Sequence, residues 1–378
     1  MKADRINELV VAGHPFISIG MAELVRSCFR AFQAAGAEPR LRDIYAGPRV
    51  DPDYEREFSS FVTDRLSPVA NVFNLNGDEV EQALAHLSDD RFNSAFNVIA
   101  PTWELPAYPA EWARQLERFT EVWAVSEFVR NAISGSTSMP VLRMPLAVDP
   151  VLSEFHTRRA LGLPDHAFIF LFFFDFSSYI ERKNPFAVLE AFNRLVERHP
   201  EAPLHLVLKH KGGQLKSADD TRFREALAQH SDQVQVIERR LSNSETRSLM
   251  RNADCFVSLH RSEGFGFGLA EAMALGTPAI GTGYSGNMDF MTQENSWLVD
   301  YDMIPVKAGS YPHGEGQQWA DPRMAHALEL METVWRNGEL ARRKAERARR
   351  DMLRDFSARA IGQRYVERLE TALRQRAA

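Results

Sequence analysis

The chain has 378 residues, 44% of them hydrophobic, enough to bury the cores of two domains. Its formal charge of −6, from 45 Lys and Arg against 51 Asp and Glu, excludes a general nucleic-acid binder. Cys28 and Cys255 are the only cysteines, far apart, which excludes a disulfide framework and a cysteine metal motif.

No apolar run is long enough to span a bilayer, and Met1-Lys2-Ala3-Asp4-Arg5 opens a short strand and not a signal segment. A reducing cytoplasm is therefore the expected location. Residues 9–13 read as a buried strand, 14–20 as a loop, and 21–35 as a helix with Leu24, Val25, Cys28, Phe29 and Phe32 on one face. Strand, loop and helix in that order open a doubly wound domain. They place His14 and Gly20 at a strand's C-terminal edge, where open α/β sheets bind ligands. Asp51-Pro52-Asp53 has the look of an acid pair for a divalent ion but reads as a turn, so no metal site is expected. Apolar segments at 72–75, 96–100, 121–125 and 141–144 are separated mostly by helical stretches and predict a parallel sheet. In residues 101–106, Trp103 and Glu104 follow a strand directly. A ring beside a carboxylate suits a sugar, whereas residue type alone favours core packing for Trp103. Two prolines in 144–150 mark a linker, giving domains of 1–147 and 148–356.

In the second domain, 168–174 (FIFLFFF) is too apolar for a half-exposed strand and should lie centrally in its sheet. Arg182 and Lys183 follow it, just before a helix over 186–198 with Pro185 in its first turn. Adjacent cations on a loop are usually solvated, but here they could also bind a diphosphate. Strands at 204–208 and 234–237 end at Lys209 and at Glu238 and Arg240. The strand at 255–259 runs into Glu263 and the alternating Gly264, Gly266 and Gly268, with Phe265 and Phe267 between them. A helix over 269–275 stops at Gly276-Thr277-Pro278, and a further strand ends in a turn from Thr282 to Asn287 that includes Ser285. Five strand ends thus converge on one edge of a parallel sheet. Backbone N–H groups at a glycine-rich helix start form an anion site, and Glu263 and Glu271 beside it can accept hydrogen bonds from hydroxyls. A glycine-rich turn with surface glutamates fits the same letters.

Ser262-Glu263-Gly264-Phe265-Gly266 and Glu271-Ala272-Met273-Ala274-Leu275-Gly276-Thr277-Pro278 resemble, without a gap, the signature of the retaining GT-B glycosyltransferases of the group-1 (GT4-type) family. The resemblance implies two Rossmann-like domains with parallel sheets facing across a cleft: an acceptor domain first, a nucleotide-sugar domain second. It implies Glu263 on the donor sugar and Glu271 on the ribose. Lys183 matches the family's diphosphate lysine. Where relatives often carry an arginine at the preceding strand end, this chain has Phe174-Asp175, leaving Arg182 as the candidate substitute. Ile19-Gly20-Met21-Ala22-Glu23 resembles the family's first-loop pattern, and Trp103-Glu104-Leu105-Pro106 a stretch found in a subset of relatives, which assigns His14, Gly20, Trp103 and Glu104 to the acceptor side. The last helix, 357–376, is expected to pack back on the first domain.

The implied reaction transfers a sugar, with retention, from a GDP- or UDP-linked donor to a saccharide or lipid-linked acceptor, without a cofactor or metal. Lys183, Arg182, Lys209 and the amides of 264–268 would balance charge on the departing diphosphate. A sugar-nucleotide epimerase, a phosphorylase and a non-catalytic nucleotide-sugar-binding subunit are the competing readings. The basic run 342–350 reads first as a solvated helix face and second as a patch for anionic lipid, a peripheral membrane contact. Oligomeric state is not encoded in any pattern found.

Overall fold

The computed structural model describes residues 8–17, 20–47, 49, 51–211, 218–228 and 232–377. Residues 1–7, Ile19 of the first-loop pattern, and Gly212 and Gly213 lie outside them. The chain divides into two compact units, Met1–Asp149 with Arg354–Ala378, and Pro150–Leu353.

The first unit is a six-stranded sheet of β1 (Leu9–Gly13), β2 (Arg40–Asp43), β3 (Ala70–Phe73), β4 (Phe96–Ile99), β5 (Glu121–Ala124) and β6 (Val141–Arg143). The order is β2-β1-β3-β4-β5-β6 and every pairing is parallel. Strands β1, β3, β4 and β5 are buried at every residue, as a sheet covered on both faces requires. Strand β2 had no apolar signal: Arg-Leu-Arg-Asp buries only Leu41 and Asp43 at a sheet edge. Strand β3 pairs two residues earlier than the apolar segment 72–75 suggested. Asp51 is a helix cap, its carboxylate accepting the Asp53 N–H at 3.0 Å at the start of Pro52–Phe58.

The terminal helix Ala358–Ala377 lies in this unit against the helix Gly20–Ala34. The two backbones meet so closely that a Cβ on Gly362 would fall 1.8 Å from the Ala31 carbonyl oxygen. Tyr365 is buried and its hydroxyl donates to Pro145 O, while Arg368 pairs with the buried Glu121 of β5. Residues 144–149 are therefore pinned and not a free linker: Ala147 O accepts from Ser27 and the Val148 N–H donates to Phe356 O.

The second unit holds a six-stranded sheet of β7 (Phe168–Asp175), β8 (Leu204–Lys211), β9 (Val234–Ile237), β10 (Cys255–Ser258), β11 (Ala279–Thr282) and β12 (Trp297–Val299). Its order, β12-β11-β10-β7-β8-β9, is again wholly parallel. The phenylalanine-rich β7 lies between β10 and β8, as its composition demanded. Strand β8 runs to Lys211, so Lys209, His210 and Lys211 pair with Phe173, Phe174 and Asp175 and do not belong to a loop. An antiparallel hairpin of β13 (Tyr301–Pro305) and β14 (Gln318–Pro322) follows. It escaped sequence reading because β13 is largely exposed and carries no apolar alternation.

Candidate functional site

The loop after β10 carries Glu263 to the C-terminal edge of the second sheet. The carboxylate is 8% exposed and is met by Lys183 Nζ at 2.5 Å and Arg182 Nη1 at 3.1 Å, both from the chain leaving β7. Burial alone would raise its pKa. The Lys183 and Arg182 charges outweigh burial and hold the carboxyl at about 2, below its ordinary 4.5. A group with a depressed folded-state pKa contributes stability above its unfolded value and loses it as pH falls through the folded one. Melting temperature should therefore decline between about pH 4.5 and pH 2 through this group. Glu263→Gln should flatten that part of the profile. An unchanged acid limb in the variant would remove Glu263 as its source.

Arg182, the candidate substitute for a diphosphate arginine, has protein partners here. Its guanidinium is buried and donates to Ser178 O, Ser262 O and Glu263, the satisfaction that a buried cation requires. Lys183 keeps more exposure, with 21% of its side chain open. Between this turn and the helix Pro185–Arg198 stands Asn184, at φ +54°, whose amide donates to Leu259 O and ties the β7 loop to the β10 loop. Arg261 strengthens the tie through Glu181 and Asp321.

The turn after β11 holds Glu263 from the other side. The Glu263 N–H donates to Ser285 Oγ at 2.8 Å, and the Gly286 N–H donates to Glu263 O at 2.9 Å. Ser285, expected on the donor, also holds the loop, its hydroxyl donating to Tyr284 O. Beneath lies His260, fully buried. Asn287 donates its amide to Thr282 O, so its Oδ1 accepts from His260 Nε2 at 3.1 Å; Nδ1 then accepts from Ser258 Oγ at 3.1 Å. Both ring nitrogens are satisfied by a neutral imidazole, and burial accordingly lowers its pKa. His260 and Asn184 went unnoticed in the sequence, where nothing but their neighbourhood to the signature marks them.

Gly266, at φ +91°, starts the helix Phe267–Leu275 with no side-chain cap. The first-turn N–H groups, from Phe267 onward, have no acceptor within the helix and form the positive end of its dipole. Gly268 serves packing: a Cβ there would lie 3.2 Å from the Phe256 ring. Glu271 is half-buried on the same helix. Lys209, Glu238 and Arg240 stand at the ends of β8 and β9, on the far side of β7. Lys209 Nζ donates to His210 O, and burial followed by the neighbouring Lys211 lowers its pKa. Glu238 pairs with Arg224 and lies 3.4 Å from His210, while Arg240 is exposed.

In the first unit, Trp103 corrects the platform expectation. It is 2% exposed, donates Nε1–H to Ala107 O, and meets Tyr108 and Trp112 edge-on at 5.7 and 5.2 Å. An indole enclosed in this way packs a core and offers no open face. Trp103→Ala should destabilise the unit by about 3–5 kcal/mol in denaturant titration. It should leave the nucleotide affinity of the folded protein unchanged; loss of that affinity without loss of stability would restore a ligand role. Glu104 is half-buried beside it. His14 directly follows β1 and stacks on Tyr45 at 5.2 Å, with Nε2 3.7 Å from Glu79. Gly20 is exposed at the helix start. Sequence reading missed Arg26, buried, which holds the loop after β1 through Pro15 O and Ile17 O.

Among the described residues no helix is long and apolar enough to cross a membrane, and no group of three or more His, Cys, Asp or Glu converges as a metal site.

The two parallel, doubly wound sheets define the class: an α/β protein of the GT-B fold. Residues 155–302, within the second unit, match the family model described as glycosyl transferases group 1. The fold is similar to that of Anabaena Alr3699/HepE in complex with UDP and glucose, at TM-score 0.70 and 13% identity over 96% of this chain and 99% of that one. It is similar also to the sucrose-phosphate synthase of Thermosynechococcus elongatus, at TM-score 0.69 and 14% identity over 97% and 99% of the two chains. A glycosyltransferase from Rickettsia africae gives TM-score 0.68 and 12% identity over 97% and 99%. No curated protein matches the chain in sequence.

Proposed function

We propose that the protein is a retaining, metal-independent GT4-type glycosyltransferase. It moves a hexose from a nucleoside-diphosphate sugar to a saccharide or lipid-linked saccharide acceptor in cell-surface polysaccharide or glycoconjugate synthesis. The observation that carries the reading is Glu263 bound to Lys183 beside an uncapped helix start, with Glu271 further along that helix. On this reading Glu263 accepts the donor hydroxyls and Glu271 the ribose hydroxyls. Lys183 and the first-turn amides of 267–275 take the diphosphate, on which charge grows as the anomeric bond breaks. The leaving phosphate oxygen serves as base for front-face attack, so configuration is kept. The second unit holds the donor, and the first unit the acceptor, on the His14, Gly20 and Glu104 side. The enzyme works in the cytoplasm, with the basic helix 338–355 available for a membrane surface.

Incubation with UDP-, GDP- and dTDP-hexoses tests this, reading thermal shift and release of the nucleoside diphosphate. One nucleotide should raise the melting temperature and its hexose conjugate should be cleaved slowly in water. Stabilisation without any turnover, with or without saccharide, would favour a non-catalytic sugar-nucleotide subunit. Conversion of the hexose without release would favour an epimerase.

A further inference from the structure

Beside Glu263 the second unit carries an aromatic pair that the reading above does not use. Tyr179 precedes the Ile180–Lys183 turn and accepts the N–H groups of Arg182 and Lys183 on its carbonyl. Its backbone stands at φ +63°, ψ 104°, a region that favours glycine, and its side chain is among the few large apolar groups left exposed, at 41%. Its ring meets Tyr311 with centroids 4.8 Å apart. Tyr311 comes from the connection between β13 and β14, and its ring lies 6.0 Å from the Arg182 guanidinium carbon. One guanidinium thus separates the aromatic pair from the Glu263 carboxylate.

The connection that presents Tyr311 is firmly set. The Val306 N–H donates to Gln317 O and the Gln317 N–H to Gly314 O. Gly314 packs so tightly that a Cβ would fall 2.5 Å from Val306. Below, Arg261 joins the β7 loop to β14 through Asp321 and lies over the Trp319 ring. An exposed phenol on unfavourable backbone, braced by a second phenol against the guanidinium that holds Glu263, matches the chemistry of a pyranose. The C–H face of such a sugar stacks on an aromatic ring while its hydroxyls bond to the charged groups.

We propose that Tyr179, braced by Tyr311, is the aromatic platform for the pyranose of the nucleotide sugar. This rests on the glycosyltransferase reading and adds a binding surface to it. Tyr179→Gly separates platform from scaffold, because glycine removes the ring and also relieves the backbone, so melting temperature should hold or rise. Calorimetry with UDP and UDP-glucose, and with GDP and GDP-mannose, supplies the readout. In Tyr179→Gly the affinity for the hexose conjugate should fall about tenfold while that for the bare nucleotide stays within twofold. Tyr179→Phe should keep both. Equal loss of conjugate and bare nucleotide, no loss of either, or a Tyr179→Phe defect as large as that of Tyr179→Gly would overturn the platform. Wild-type protein that binds none of these four ligands, nor dTDP and dTDP-glucose, would overturn the glycosyltransferase reading, and the platform with it.

Discussion

Gly286→Ala should lower turnover severely while leaving a folded, less stable protein. The added methyl has nowhere to go: its ideal position is 2.1 Å from the Gly264 carbonyl oxygen, 2.4 Å from that carbonyl carbon and 2.8 Å from Glu263 O. All three are backbone atoms, so no side chain can swing away. The two loops must part by about 1 Å, and the strain of such overpacking is about 1–3 kcal/mol. Parting them breaks the Gly286 N–H to Glu263 O bond and pulls Glu263 from Ser285 and Lys183. Misplacing a reacting group by about 1 Å lowers rate on the order of a hundredfold. Turnover should fall at least that far, with a melting temperature lower by several degrees. Gly338→Ala, where a Cβ would meet nothing within 4 Å, is the matched control and should behave as wild type. A Gly286→Ala enzyme with wild-type turnover would show that the two loops do not set the site.

Lys183→Ala should be the second severe variant, and its damage should fall on rate more than on binding. The leaving diphosphate carries more charge in the transition state than in the bound donor, so a cation there acts more on rate than on donor binding. Loss of one preorganised electrostatic partner lowers turnover by about a hundredfold or more. Donor affinity should fall by a smaller factor, because the first-turn amides and Glu271 remain. The fold should persist, since Glu263 keeps Arg182 at 3.1 Å. Lys183→Arg should rescue in part, a planar fork being a poor copy of a compact ammonium. The measurement is single-turnover transfer beside equilibrium nucleotide binding, with Glu263→Gln and the double variant completing a cycle. Groups in direct contact should prove non-additive. A large affinity loss with an unchanged single-turnover rate would reduce Lys183 to an anchor.

Much of this fold and site is legible in the sequence. The phenylalanine-rich run of β7, the strand–glycine–helix signature around Glu263, and the alternation of strands with helices are local patterns. Burial on both faces of a parallel sheet writes itself into such runs directly. Strand β2 and the β13–β14 hairpin are exposed on one side or at an edge, and so leave no such trace.

Local chemistry thus pointed to two doubly wound units and a glycine-started helix with Glu263 and Glu271 beside it, and the family resemblance added Lys183. The tertiary structure decided which nominees meet. Arg182 and Glu263 are 81 residues apart, and only the β10–β7 pairing turns the arginine inward as a strut and leaves the lysine partly open. Trp103 became core because Tyr108 and Trp112 enclose it. Tyr179, 41% exposed, meets Tyr311 only because a hairpin loop some 130 residues later in the chain returns to it. Side-chain burial depends on what the rest of the chain places overhead, and no run of neighbouring letters records that.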